Sequence, residues 1–253
     1  MKIIRALKGD EVFYAELKEE RVLRLTGEPY NGISYSGDVF ELSQVKVLAP
    51  CEPSKVVAVG LNYSEHAEEM KNDMQRRPDP ILFIKPSSSV IGPGDDIVRP
   101  LAMSERTDYE AELGVVIGKK CRNVSPEEAS DYFFGYTCVN DVTARDLQKK
   151  DGQWTRAKGF DTFCPVGPHI ETELDPDHLR VQAVLNGRIM QDDTTDSMIN
   201  DIYELTSFIS RIMTLYPGDI IATGTPKGIA PMENGDTIEI RVEGIGSLVN
   251  KVV

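Results

Sequence analysis

The chain has 253 residues, 40% hydrophobic and 27% charged, with a formal net charge of -13. So large an acidic excess argues against a nucleic-acid partner, because phosphate contacts need clustered Lys and Arg. No run approaches ~18 apolar residues, so no membrane span is expected.

The first residues, MKIIRALKGDEVFYAEL, carry charges throughout and lack the apolar centre of a secretion signal. Cys51, Cys121, Cys138 and Cys164 show no metal-ligand spacing, so unpaired thiols and a cytoplasmic location are expected. Residues 1–50 read as a small β-rich unit, with short strand-like runs and turns at Asn31-Gly32 and Ser36-Gly37. Pro50 and Pro53 mark a hinge into a main body over 51–253. Strands are predicted there around 55–63, 80–88, 111–118, 133–142, 179–187, 218–226, 236–244 and 246–253. Their turn punctuation suggests a mostly antiparallel roll or sandwich, mainly β with a few helices (α+β). Asn62-Tyr63-Ser64-Glu65 opens a helix to about Met74, and Ser125-Pro126-Glu127-Glu128 has the same capping form. Ile199, Ile202, Leu205, Ile209 and Ile212 fall at helical spacing, predicting an amphipathic helix over about 198–214. RDLQKKDGQWTRAKG, which carries the sole tryptophan, Trp154, reads as a long polar loop, either a lid or a surface excursion.

The stretch TDYEAELGVVIG, 107–118, sets Glu110 and Glu112 on one face of a strand, because side chains alternate. Facing water, the pair is harmless; facing the interior, it needs a cation or a proton. Asp141 ends another strand. Glu110, Glu112 and Asp141 would together make an all-oxygen site of the kind Mg2+, Mn2+ or Ca2+ prefers, whereas Zn2+ usually recruits His or Cys. The competing reading is a charged strand edge in solvent.

His66 is the best candidate base. Glu69 lies three residues on, on the same helix face, where a carboxylate would orient the imidazole. The neighbouring Glu65 and Glu68 equally suit a solvated acidic surface. His169 and His178 fall in turn-like sequence. Lys85 ends an apolar run and either snorkels to water or binds an anionic substrate. Lys158 follows the polar loop, and in ATGTPKG a glycine-rich turn offers N–H groups and threonine hydroxyls to a carboxylate. No GxxxxGK[ST] pattern is present, which disfavours nucleotide binding.

Together these segments resemble the fumarylacetoacetate hydrolase family. The matching pieces are VGLNYSEHAEEM, PILFIKPSSSVIGPGDDIVRP, DYEAELGVVIGK, GYTCVNDVTARDLQ, AKGFDTFCPVGP, LNGRIMQDDTTDSMI and PGDIIATGTPKGIAPMENGD. They run across about 55–252, and residues 1–50 resemble the small N-terminal unit of single-catalytic-domain bacterial members. The resemblance implies a mixed β-sheet roll around a central site, usually in a homodimer. It implies Mg2+ or Mn2+ on Glu110, Glu112 and Asp141, and a His66–Glu69 dyad. It also implies an active-site Lys158, a second pocket lysine at Lys85, and a carboxylate-binding turn at Thr223, Gly224 and Thr225. Arg145 and Gln148 match positions near the pocket, and Lys227 offers a further anion contact. The implied substrates are 2-oxo acids, commonly 2,4-dioxo acids such as acylpyruvates, with the metal as Lewis acid stabilising a pyruvate enolate as the C–C bond breaks. Decarboxylation of oxaloacetate-type acids, or isomerisation of unsaturated 2-oxo dicarboxylates such as 2-hydroxyhepta-2,4-diene-1,7-dioate in aromatic catabolism, would use the same site. A non-catalytic 2-oxo-acid binder is a further alternative. Gly114, beside the glutamate pair, is expected to leave room near the ion.

Overall fold

The structure, a computed structural model, describes residues 1–69 and 79–253, and of residues 67–69 the backbone alone. The N-terminal strands are β1 (Lys2–Lys8), β2 (Glu11–Lys18), β3 (Arg21–Leu25), β4 (Tyr35–Glu41) and β5 (Lys46–Leu48). Alternation puts Ile4, Ala6, Phe13, Ala15 and Val22 on one face, where they form their own small core. The unit is not a sheet of its own. β1 pairs with a strand of the body at Lys2↔Glu171 and Ile3↔Ile170, so one sheet runs through the division expected between residues 50 and 51.

The body continues with β6 (Val56–Gly60), α1 (Ser64–Glu69), β7 (Ile81–Lys85), β8 (Val90–Ile91), β9 (Asp96–Ile97), β10 (Thr107–Asp108), β11 (Ala111–Ile117), β12 (Phe133–Asn140) and β13 (Thr143–Ala144). Helices α2 (Arg145–Asp151) and α3 (Thr155–Lys158) follow, then β14 (Cys164–Glu171), β15 (Arg180–Leu185), β16 (Arg188–Thr194), α4 (Ile202–Ile212), β17 (Ile220–Ala222), β18 (Thr237–Val242) and β19 (Gly246–Val252). The large sheet has twelve strands, ordered β4-β3-β2-β1-β14-β12-β11-β17-β6-β7 along its main path. β8, just after β7, returns to pair with β14, so the body's part of the sheet curls toward closure. A five-stranded sheet, β16-β15-β18-β19-β9, packs on its outer face. Most pairs are antiparallel, as expected, but β17–β6, β14–β8 and β19–β9 are parallel.

β11 lies between β12 and β17, and every one of its residues is buried. Leu113, Val115 and Ile117 enter the core shared with β15, β18, β19 and α4, while Val116 enters a second core with Val56, Ala58, Val139 and Ile220. Glu110 and Glu112 point to the side of Val116. A Cβ on Gly114 would come within 2.7 Å of Val139 Cγ2, so neighbouring side chains take the room expected near the ion.

Several elements differ from expectation for identifiable reasons. α4 begins at Ile202 because Asp201 caps it, accepting from the Tyr203 and Glu204 N–H groups. The Ser125 capping box is present but leads into a 3-10 helix, Pro126–Tyr132. The polar loop is instead α2 and α3, whose inward residues Arg145, Gln148 and Lys158 are themselves polar and so gave no apolar stripe. β14 was hidden by Pro165 and Pro168, which lack the ladder N–H, and His169 lies buried in that strand rather than in a turn. β16 is a polar edge strand. The helix expected to Met74 is described through Glu69, and its remainder lies outside the described residues.

Candidate metal and active site

Strand direction brings the site together. β6 and β17 run parallel, so the turns leaving their C-terminal ends, toward α1 and Thr225, lie side by side. β11 runs against β17, which puts its opening residues Glu110 and Glu112 at the same end. β12 runs against β11 and delivers Asp141 there. Glu110, Glu112 and Asp141 offer ligand oxygens all within 4.8 Å of one another, and all three residues are buried.

Buried cations surround two of the three. Lys158 Nζ donates to Glu110 Oε2 at 2.9 Å and to Asp141 Oδ2 at 2.5 Å. Lys85 Nζ reaches from β7 to Asp141 Oδ1 at 2.5 Å, and also to the carbonyls of Lys158 (2.7 Å) and Val142 (3.2 Å). Arg145 joins Glu110 Oε1 (2.5 Å), Asp108 Oδ2 (2.9 Å) and Gln148 Oε1 (2.7 Å). Glu112 differs: it accepts the Gly224 N–H at 2.9 Å, and no ammonium or guanidinium among the described residues reaches it.

The titration behaviour follows. Burial works against the charge on Glu110, but Lys158, Arg145 and His66 outweigh it and hold its pKa far below the carboxylate range. Burial also works against Lys158, and Asp141 and Glu110 outweigh that, keeping the ammonium charged. Burial pushes the Glu112 pKa well up, and the like charges of Asp141 and Glu110 push it further. Such a carboxylate calls for either a proton or a cation. With three hard oxygen donors close together, a hard divalent cation fits the residues present.

His66 on α1 is 4% exposed and lines a cavity of ≈30 Å³ together with Glu110, Gln148, Lys158, Trp154 and Thr225. The Glu69 side chain lies outside the described residues. Lys85, expected to hold substrate, has its three N–H groups on protein oxygens and serves as a counter-ion for Asp141, whereas Arg145 neutralises Glu110 and Asp108 and also lines the small cavity. The Thr223-Gly224-Thr225 turn divides its roles in the same way. The Thr223 hydroxyl donates to Leu113 O at 2.9 Å, the Gly224 N–H holds Glu112, and Thr225 lines the cavity. Gly224 sits at φ +100 with Asn62 Cβ 2.8 Å from where its own would be, so no other residue fits without displacement. Lys227 pairs with Glu65 at 2.6 Å on the exposed side of α1.

Three supporting residues escaped the sequence reading. Asp108 orients Arg145. Gln191 ties β11 to the turn, accepting from the Ala111 N–H and donating to Thr225 Oγ1, both at 2.9 Å. Asn62 donates to Thr223 O at 2.8 Å. Asn62 and Gln191 stand inside the resembling segments, but nothing in their local pattern marks a contact made across 161 or 34 residues.

The family model "Fumarylacetoacetate (FAA) hydrolase C-terminal" matches residues 55–253, and "Rv2993c-like, N-terminal" matches residues 1–50. The chain belongs to the fumarylacetoacetate hydrolase family. It is similar to a 5-carboxymethyl-2-hydroxymuconate delta-isomerase from Mycobacterium smegmatis, at 41% identity and a TM-score of 0.94, covering 100% of this chain and 99% of that one. It is 41% identical to the oxaloacetate tautomerase YisK of Bacillus subtilis over 85% of this chain and 75% of that protein. A maleylpyruvate hydrolase from Sphingobium sp. SYK-6, in complex with manganese(II) and pyruvate, matches at 29% identity and a TM-score of 0.82, covering 100% of this chain and 99% of that one. No helix among the described residues is long and apolar enough to cross a membrane, and all four cysteines are buried free thiols.

Proposed function

We propose that this chain is a divalent-metal-dependent enzyme of 2-oxo acids that hydrolyses a C–C bond in 2,4-dioxo acids of the acylpyruvate type. The observation that carries the reading is Glu112, a buried carboxylate that no ammonium or guanidinium among the described residues contacts, set against Glu110 and Asp141 beside His66. Glu110, Glu112 and Asp141 would hold Mg2+ or Mn2+, with Ca2+ able to take its place. When bound, the ion supplies Lewis-acid polarisation of the substrate's 2-oxo group. The ≈30 Å³ beside His66 exceeds the ~10–15 Å³ that one water needs, so His66 takes a proton from a water placed there. Lys158, held charged by its carboxylates, donates to the oxyanion developing at the attacked carbonyl. Thr225 Oγ1 accepts from Gln191, which leaves its proton to donate to a substrate carboxylate. Gln148, fixed by Arg145 through its oxygen, keeps its amide N–H groups for the substrate.

The second reading is an isomerase, tautomerase or decarboxylase of 2-oxo dicarboxylates. It is favoured by the higher identity to the isomerase and the tautomerase, 41% each, than to the hydrolase, 29%. A panel of acetylpyruvate, fumarylpyruvate, oxaloacetate and an unsaturated 2-oxoheptanedioate, with Mg2+ and Mn2+, separates the two. The same panel run on His66→Ala tests the base. The variant should bind metal and oxalate but lose hydrolysis by about 10²–10⁴-fold. Hydrolysis at the wild-type rate would remove His66 from that role, and turnover of no member would leave a 2-oxo-acid binder. The proposal includes a cytoplasmic homodimer with a small unit over 1–50 and a catalytic domain over 51–253, and sedimentation checks the dimer.

A further inference from the structure

The small cavity at the carboxylates adjoins a much larger one. A cavity of ≈800 Å³ is lined by Leu61, Ile81, Phe83, Pro86, Trp154 and Thr155 among others, and none of the described residues lining it has a charged side chain. Leu61 and Trp154 also line the small cavity, so the two spaces share a wall. Phe83 completes that wall. Lys158 Nζ lies 5.0 Å from the centre of the Phe83 ring, and the Trp154 ring meets Phe83 edge-on at 5.2 Å. The indole is pinned from behind by Gly60, where a Cβ would come within 2.4 Å of Trp154 Cζ3.

The two spaces divide a substrate by chemistry. The small cavity gathers the charges and has room for a compact polar head. The large one has the volume of a ligand site and walls of Leu, Ile, Phe, Pro and Trp. An apolar tail would bury surface on these side chains, whereas a carboxylate there would meet no cation among the described residues. We infer that the ≈800 Å³ cavity receives the tail of the 2-oxo acid, that this tail is uncharged and aliphatic or aromatic, and that Trp154 is the positioning residue that selects it. The inference rests on the reading that the carboxylate cluster takes the 2-oxo head.

The test is binding of a series of 2,4-dioxo acids to the full Mn2+-loaded chain, by calorimetry, with methyl, phenyl and carboxyvinyl (fumaryl) tails. Wild type should bind the phenyl compound at least about tenfold more tightly than the methyl one, and the carboxylated one more weakly than the phenyl one. Trp154→Ala should lower the phenyl-to-methyl affinity ratio several-fold. Ile81→Arg, which adds a cation to the outer wall, should shift preference toward the carboxylated tail and covers the case that Trp154→Ala does not fold. Equal affinity for all three tails, preference of wild type for the carboxylated tail, or an equal loss for every ligand in Trp154→Ala would each overturn the inference. Oxalate, which has no tail, separates the two levels. Oxalate bound with no tail discrimination refutes this inference alone, whereas no oxalate binding refutes the head site beneath it.

Discussion

One sheet serves two regions of this molecule in opposite ways. In the N-terminal half, β4 shows most of its residues to solvent, and ion pairs such as Lys46–Asp95 (2.7 Å) sit at the surface over a small apolar core. In the body half, β11 is buried on both faces, yet it opens on two glutamates and closes around Lys85, Lys158 and Arg145. Charges in the first region are mostly solvated and replaceable, with Arg5 and Glu16 the buried exceptions. Charges in the second are desolvated, and each depends on its partners. The interior gathers four carboxylates, Asp108, Glu110, Glu112 and Asp141, of which the last three have the donors to hold a cation.

The sharpest way to break this contrast is Glu112→Gln. Activity should fall on the order of 10³-fold, because a Lewis acid supplies several kcal/mol of stabilisation. Mn2+ should no longer raise the melting temperature, and the metal-free variant should melt above metal-free wild type because a buried like charge is gone. Unchanged Mn2+ binding by calorimetry would disprove the ligand assignment. Next is Lys85→Met, which leaves Asp141 short of one buried partner and should destabilise by about 3 kcal/mol in urea unfolding. A loss near zero would mean that Lys158 alone neutralises Asp141.

His169 tests the seam between the halves, in β14. It is 5% exposed, its Nε2 has no hydrogen-bond partner among the described residues, and burial, with Lys2 adding to it, lowers its pKa from 6.5 to about 4. The unfolded chain therefore binds the proton first. Stability from the neutral imidazole is complete above pH 6.5 and is lost as pH falls toward 4, by at most about 3 kcal/mol. Melting curves of His169→Leu between pH 4 and 7 should show a shallower acid slope than wild type, and parallel slopes would contradict the assignment. The smallest effect belongs to the N-terminal half. Lys46→Ala should lower stability by less than about 1 kcal/mol, a value that would fall further in salt. A loss matching that of Lys85→Met would erase the distinction between the regions.

Much of the fold was legible wherever apolar alternation spoke alone, as in β6, β7, β11, β12, β15, β18 and β19. It was not legible where the buried face is polar. α2 and α3 look like a loop because Arg145, Gln148 and Lys158, among their buried residues, are polar. β14 was obscured by its prolines, whose missing N–H interrupts the ladder without ending the strand. Within the site, the sequence pointed to Glu110, Glu112, Asp141, His66 and Lys158. It expected substrate contacts from Lys85 and Thr223, whose donors the fold has given to protein acceptors, because residue type alone does not reveal which acceptors a donor already has.

What the sequence by itself determined is local: period-2 geometry puts Glu110 and Glu112 on one face of a strand, and the capping-box spacing at Ser125 marks the start of a helical turn. The tertiary structure decided which way that face points. β11 is flanked by β12 and β17 and covered on both sides, so its glutamates face the interior, where Asp141 arrives from 29 residues further along the chain. Direction and proximity of that kind come from strand pairing across the whole chain. Burial then turns an ordinary pair of acids into a site that calls for a proton or a cation, because the free energy of a charge depends on what surrounds it.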